Sequence, residues 1–251
     1  MAASCRAALV FDRPLRIKRD QLEQIRRRHL GYRITLIYEL TLLLLLPLAQ
    51  LFTALLSLLL IGQALVFMVF VSRFSALRAT RPVMYVLGAM AIVLEVIWHA
   101  ALIWSPALGR WLTLPHVVVW VMFLLVAVVR KVKSLIREPY VTASVVLGAA
   151  SGYLTVGVAG GVLLTALWVL QPSAFLASTL PALSANGAAH VAVAPALMAA
   201  SFGLLTTAGT QVLNPSIVTA QVLGNVITIA GQLYVAILIA LILGRVQNRL
   251  T

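Results

Sequence analysis

The sequence is poor in acidic residues and in cysteine. Only 6 Asp and Glu accompany 19 Lys and Arg, and charged residues make up 10% of the 251 residues. So little charge excludes an ordinary water-soluble domain. Hydrophobic residues reach 62% and the mean hydropathy is +1.05, which indicates a multi-pass membrane protein. The single cysteine, Cys5, excludes an intrachain disulfide.

Motifs of catalysis and of metal binding are also missing. The sequence contains no HExxH, no phosphate-binding glycine loop, no Ser-His-Asp grouping and no pair of catalytic carboxylates. We therefore expect no enzymatic activity, no cofactor and no bound metal.

The net charge of +13 has two possible explanations. A nucleic-acid partner requires basic residues interleaved with exposed aromatic ones, whereas these basic residues flank apolar segments. Six membrane spans with both termini in the cytoplasm put eighteen of the 19 Lys and Arg on the cytoplasmic side, and only Arg110 on the other. Because this positive-inside distribution accounts for the charge, we expect membrane lipids and no nucleic acid as partners.

The chain divides into three regions. Residues 1–33 form a basic cytoplasmic segment, in which Asp20 and Glu23 have the spacing of a helix start and Gly31 can end a short interfacial helix. This segment either docks on anionic lipids or serves only as a topology signal. Residues 34–138 are expected to form a peripheral bundle of four spans, and residues 139–251 hold the last two.

Length and turn residues place the first four spans. Ile34–Ser72 is too long for one span of about 20 residues and predicts two, joined by a turn within Pro47–Thr53. The third and fourth spans are predicted at Val83–Trp104 and Thr113–Val129. The fourth contains no arginine, so we expect no strong voltage sensing.

A short segment stands between the last two apolar runs, Val141–Leu170 and Ile217–Leu243. It reads SFGLLTTAGTQVLNP, from Ser201 to Pro215. A non-helical stretch at membrane depth is tolerated only where protein or water satisfies its backbone, so this segment should line a protein interior or an aqueous space.

This segment resembles the pore loop of the potassium-channel superfamily, which reads S-F-x-T-L-T-T-V-G-Y-G-D-I-x-P. The matching positions are Ser201, Phe202, Leu205, Thr206, Thr207, Gly209 and Pro215. The departures are Ala208 for the filter valine, Thr210 for the tyrosine, Gln211 for the second glycine and Val212 for the aspartate. The flanking runs resemble the outer and inner helices of small prokaryotic channels of this family.

The resemblance implies an all-α integral membrane fold of six helices with a re-entrant pore loop between the last two. It implies a homotetramer in a prokaryotic plasma membrane or another internal energy-transducing membrane, with a pore helix at Ala196–Thr206. It also implies a filter for monovalent cations such as K⁺ or Na⁺. The filter residues would be Thr206, Thr207, Ala208, Gly209, Thr210 and Gln211.

Gln211 lies where the family's filter needs a left-handed backbone. A residue other than glycine costs roughly 1–2 kcal/mol in that conformation. We therefore predict that the inner ring at Thr207 is kept, that the outer half near Thr210 and Gln211 is remodelled, and that the pore discriminates weakly between cations.

Small and ionisable residues in the spans give further candidates. Gly224 and Gly231 in the last helix are either gating hinges or packing notches. Glu95 and His99 lie four residues apart on one helical face and form either a proton relay, a divalent-ion site or a hydrogen-bonded pair. Glu39 is expected to pair with Arg33 near the membrane interface.

Two other functions remain open. The chain could be a non-conducting scaffold or assembly partner that kept the channel fold. A proton-coupled transporter using Glu95 and His99 is the third possibility, although the sequence shows no internal repeat.

Overall fold

The computed structural model describes residues 19–73, 81–138, 142–176 and 188–247. These ranges contain seven α-helices, one 3-10 turn at Pro172–Ala174 and a single isolated β-bridge. The helices are α1 (Arg19–Ala49), α2 (Thr53–Arg73), α3 (Arg81–Trp104), α4 (Pro106–Ile136), α5 (Ala143–Leu170), α6 (Ala188–Leu205) and α7 (Val218–Gln247). All except α6 are long and apolar enough to cross a membrane, which indicates a multi-pass membrane protein with six candidate spans, as predicted.

The predicted boundaries of the first and fourth spans are wrong. The separate helix that was expected to end at Gly31 is instead the beginning of α1, which continues without a break. One glycine costs only about 1 kcal/mol in a helix, and the fully buried Tyr32 beside it anchors the helix in the core. The fourth span, predicted at Thr113–Val129, begins earlier, at Pro106, and continues to Ile136, where the buried Lys131 extends the packed part of the helix. Residues 1–18, with Cys5, lie outside the described ranges.

The two ends of the bundle differ in charge. We call the end where α1 begins and α4 ends the basic end, since it holds Arg28, Arg81, Arg130 and Glu138. The opposite end carries the tight α1–α2 and α3–α4 connections and the end of α5, and we call it the turn end.

Helix α5 lies at the centre of the bundle, and half of its residues are buried. Five of its glycines each face a larger side chain from another helix. The pairs are Gly148 with Tyr32, Gly152 with Tyr234, Gly157 with Phe202, Gly160 with Ile227 and Gly161 with Met198. A Cβ at most of these positions would collide with its partner, so the glycines permit close helix packing here.

The first four helices share a core with the later ones. One cluster of buried side chains includes Tyr32 of α1, Phe67 of α2, Trp120 of α4, Val158 of α5 and Met198 of α6. The boundary drawn between residues 138 and 139 is therefore a division of the sequence and not of the packing.

Candidate functional site

Helix α6 lies between α5 and α7 and has 18 residues, against 21 to 31 in the helices of the six candidate spans. It starts at Ala188 and contains Pro195, so the predicted start at Ala196 is wrong. The buried hydroxyl of Ser201 donates hydrogen bonds to the carbonyls of Gly157 and Met198, both at 2.7 Å. The bond to Gly157 joins the second half of α6 to α5.

The C-terminal end of α6 lies near the middle of both neighbouring helices. Tyr153 of α5 donates a hydrogen bond from its hydroxyl to the carbonyl of Leu205 at 2.9 Å. A Cβ at Gly231 of α7 would lie 2.7 Å from that same carbonyl oxygen. Both Tyr153 and Gly231 lie well inside their helices, so α6 ends at mid-depth in the bundle.

The last four carbonyls of α6 all have donors, although a helix end normally leaves such groups without partners. The bonds are Thr206 N to Phe202 O at 3.0 Å, Gly209 N to Gly203 O at 3.1 Å, Thr228 Oγ1 to Leu204 O at 3.1 Å, and Tyr153 OH to Leu205 O. Two of these donors are side chains of spanning helices. The chain that follows α6 is therefore fixed in place.

The residues after α6 form an exposed loop. Thr206, Thr207, Ala208 and Gly209 are all exposed within one chain, next to the fully buried Leu205. In the described residues the left-handed positions are Thr207 (φ 60°) and Gly209 (φ 82°). The strained left-handed backbone that was expected at Gln211 is thus found at Thr207 instead.

The loop then returns to the turn end of the bundle. Phe175 and Leu213 form an antiparallel bridge just beyond the end of α5. On either side of it, Leu176 N donates to Val212 O and Asn214 N donates to Ala174 O, both at 2.9 Å. The chain reverses direction at Thr206–Gly209 and comes back to the level of Phe175 before α7 begins.

Gly224 and Gly231 lie on the face of α7 that contacts α6 and the loop. A Cβ at Gly224 would lie 3.1 Å from Leu213, and Gly231 faces Leu205 as described above. Helix α7 is unbroken at both positions. The observed role of both glycines is close packing, and a hinge role stays a prediction.

Three polar side chains lie on the exposed surface of α7, about 90° around the helix from the two glycines: Gln221, Asn225 and Gln232. At 3.6 residues per turn they fall within a sector of about 40°. The neighbouring position on the helical surface is Thr228, whose hydroxyl contacts the end of α6. We call Gln221, Asn225 and Gln232 the polar stripe. The stripe lies on the same side of α7 as the exposed loop.

Glu95 and His99 do not pair with each other. Glu95 Oε2 lies 2.7 Å from His116 Nε2 of α4, and both side chains are buried. The His116 ring stacks on Trp98, with centroids 4.5 Å apart. His99 Nδ1 lies 3.1 Å from the Ser57 hydroxyl of α2. His116 is 4% exposed, because Trp98 and Glu95 cover it.

Glu39 pairs with Lys131 rather than with Arg33. Lys131 Nζ donates to Glu39 Oε1 at 3.1 Å and to the hydroxyls of Ser151 and Thr155 at 2.6 Å and 3.0 Å. Both charged side chains are at most 2% exposed. This ion pair joins α1, α4 and α5 toward the basic end. The Lys131 ammonium also lies 4.4 Å from the Phe67 ring centroid of α2.

No group of three His, Cys, Asp or Glu side chains in the described ranges could hold a metal ion. No protein-family model, no curated protein and no solved structure matches the chain. Assignment of a function therefore rests on the geometry of the loop, of α7 and of the buried polar groups.

Sequence analysis missed two features of this site. The polar stripe has a sequence signal, since Asn225 and Gln232 lie seven residues apart, which is two helical turns. The burial of Lys131 has no such signal, because Lys131 stands among basic residues that the positive-inside rule assigns to the membrane surface.

Proposed function

We propose that four copies of this chain assemble around a shared aqueous axis and pass monovalent cations with weak selectivity. Thr206, Thr207, Ala208, Gly209, Thr210 and Gln211 would form the narrow part of this axis as a re-entrant pore loop. The polar stripe of α7 would line its wider part.

The observation that carries this proposal is the polar stripe. Asn225 and Gln232 lie deep within a candidate span and are exposed on the surface of a single chain. Polar side chains inside a membrane generally face other helices or water and not lipid. An aqueous axis shared between copies satisfies this requirement.

The end of α6 supports the same assembly. A helix C-terminus carries a partial negative charge, which favours a cation beside it. Here that end lies at mid-depth, next to four consecutive exposed residues that could present backbone oxygens to an ion. Only 22% of the α7 span is buried in one chain, which leaves a large helical surface for neighbouring copies.

A thiol-accessibility experiment tests the aqueous axis. In a Cys5→Ser background, Gln232→Cys should react with a charged, membrane-impermeant thiol reagent, and the adjacent Leu233→Cys should not. Leu233 is a matched control because it is also exposed in one chain but points about 100° away from Gln232 around α7. Equal protection of both variants in an assembled protein would contradict the proposal.

Recording ion flux in proteoliposomes tests conduction. The wild-type protein should pass K⁺ and Na⁺ with little preference, and the Thr210→Tyr/Gln211→Gly variant should gain K⁺ selectivity. If neither protein passes ions although both assemble, the channel proposal is wrong and a non-conducting scaffold is the remaining candidate.

The second candidate is a non-conducting scaffold with the same assembly, and one hydrogen bond favours it. The Thr207 hydroxyl donates to the Thr206 carbonyl at 2.6 Å. Both oxygens would otherwise be available to a dehydrated cation, so this bond weakens the innermost ion site.

A further inference from the structure

The Glu95–His116 pair has no role in the proposed pore, yet it is the most buried ionisable group in the turn half of the bundle. Its two members come from α3 and α4, and their side chains are 2% and 5% exposed. Ionisable residues inside a membrane are rare and usually mark a functional site.

A small cavity adjoins this pair. Its volume is about 30 Å³, and its polar lining consists of Ser57, Glu95, His116 and Thr165. A polar cavity needs about 10–15 Å³ to hold one water molecule, so this one has room for one or two. His116 Nδ1 is buried and makes no hydrogen bond to the protein, so a water in this cavity would give it a partner.

A larger groove reaches the same residues from outside. It lies between α2 and α3, has a volume of about 600 Å³ and extends to Trp104 at the turn end. Glu95 and Ser57 line both spaces, and His99 lines the groove beside its Ser57 partner. The exchangeable groups His99 and Ser57 therefore connect this groove to the buried pair.

The charges around the pair come from few groups. Among the described residues, Glu95, His99 and His116 are the only ionisable side chains that line either space. Helix α2 contributes Ser57, α5 contributes Thr165, and α6 contributes only apolar residues. Arg110, at the start of α4, lines neither space.

We propose that Glu95 and His116 form a proton-binding site that is loaded from the turn end past His99 and Ser57, and that its occupancy regulates the proposed channel. The regulatory part rests on the proposed function. Imidazole ordinarily changes charge between pH 5 and 8, so one proton converts a negatively charged pair into a neutral ion pair.

The cavity beside Glu95 and His116 also contacts α6, the helix that leads into the proposed pore loop. Ala194 and Met198 of α6 line the same cavity, together with Thr165 of α5. A change of one charge beside α6 acts on the helix whose other end carries the exposed loop. A change in the polarity of this cavity therefore biases the position of α6.

Nitrogen-15 NMR of histidine-labelled protein in lipid nanodiscs tests the proton site without requiring conduction. His116→Gln assigns the His116 signal, and His29→Gln at the basic end is the control. We expect His116 to gain a proton between pH 8.5 and pH 5. In Glu95→Gln the pH dependence of the His116 signal should differ from that of wild type, because the carboxylate that contacts the ring is gone. Glu95→Asp, which keeps the carboxylate, should keep the wild-type pH dependence and serves as the comparison if Glu95→Gln folds poorly.

Sided flux recording tests the regulation. Acidifying the turn side of oriented proteoliposomes should change conductance about fivefold or more in wild type, and much less in Glu95→Gln. A His116 that stays uncharged over the whole pH range, or that titrates identically in Glu95→Gln, would overturn the proton site. Titration without any change in the conductance of a conducting protein would overturn the regulation. A protein that never conducts contradicts the proposed channel, while NMR still decides the proton site.

Discussion

Thr207 is the residue at which the loop is strained. It is the non-glycine residue that adopts a positive φ in the described ranges, and β-branched side chains fit that conformation poorly. Its backbone is held by the donors that fix the end of α6, so the loop keeps this conformation despite the cost.

Replacing Thr207 with Asn should therefore stabilise the protein. Asn tolerates the left-handed region, and the free energy of unfolding should rise by about 1 kcal/mol. The adjacent Thr206→Asn is the matched control, since Thr206 is not left-handed and its hydroxyl bonds to the Phe202 carbonyl at 2.8 Å. Thermal unfolding in detergent measures both, and equal effects of the two substitutions would disprove the assignment of strain.

Lys131 is the other residue whose role follows from its surroundings. Lys131→Met should lower the free energy of unfolding by about 3–5 kcal/mol, because it leaves the Glu39 carboxylate buried without its cation. The Glu39→Gln/Lys131→Met double variant should recover most of this loss. Lys133→Met is the control, since Lys133 is exposed two residues further along the same helix. A double variant no more stable than Lys131→Met alone would show that the pair is not coupled.

At the scale of helices, much of the fold could be predicted from the sequence. The number of spans and the α1–α2 turn follow from the lengths of the apolar runs and from Pro47, since both are local properties. The partners of Glu39 and Glu95 could not be predicted, because they lie 92 and 21 residues away and depend on how the helices pack. The position of a non-helical segment before the last span could be predicted from its own residues, whereas the strain at Thr207 depends on contacts with α5 and α7.

The α5–α6 contact gives a prediction at this scale. A Cβ at Gly161 would lie 3.0 Å from the Met198 Cα of α6, so backbone as well as side chain would have to move. Gly161→Ala should destabilise the protein by about 1–3 kcal/mol. Gly160→Ala is the neighbouring control, because its Cβ would meet only the Ile227 side chain, at 3.1 Å or more. The expected result is a clearly lower melting temperature for Gly161→Ala than for Gly160→Ala.

At the scale of the whole molecule, α7 is the least buried of the six spans. Its exposed surface combines the polar stripe with apolar residues such as Val222, Ile229 and Leu243. A single chain in lipid would leave Asn225 and Gln232 without water. Native mass spectrometry from nanodiscs should therefore give four copies, and a strictly monomeric protein would contradict both the channel and the scaffold.

The ties between the end of α6 and its neighbours have a mechanical consequence. Tyr153 and Thr228 hold the Leu205 and Leu204 carbonyls from opposite sides, at the depth where the loop leaves α6. A sliding or tilting movement of either spanning helix would pull directly on these two carbonyls. In the proposed assembly, one movement of α5 or α7 would then both open the passage and change the shape of its narrowest ring. A separate gate at the basic end would not be needed.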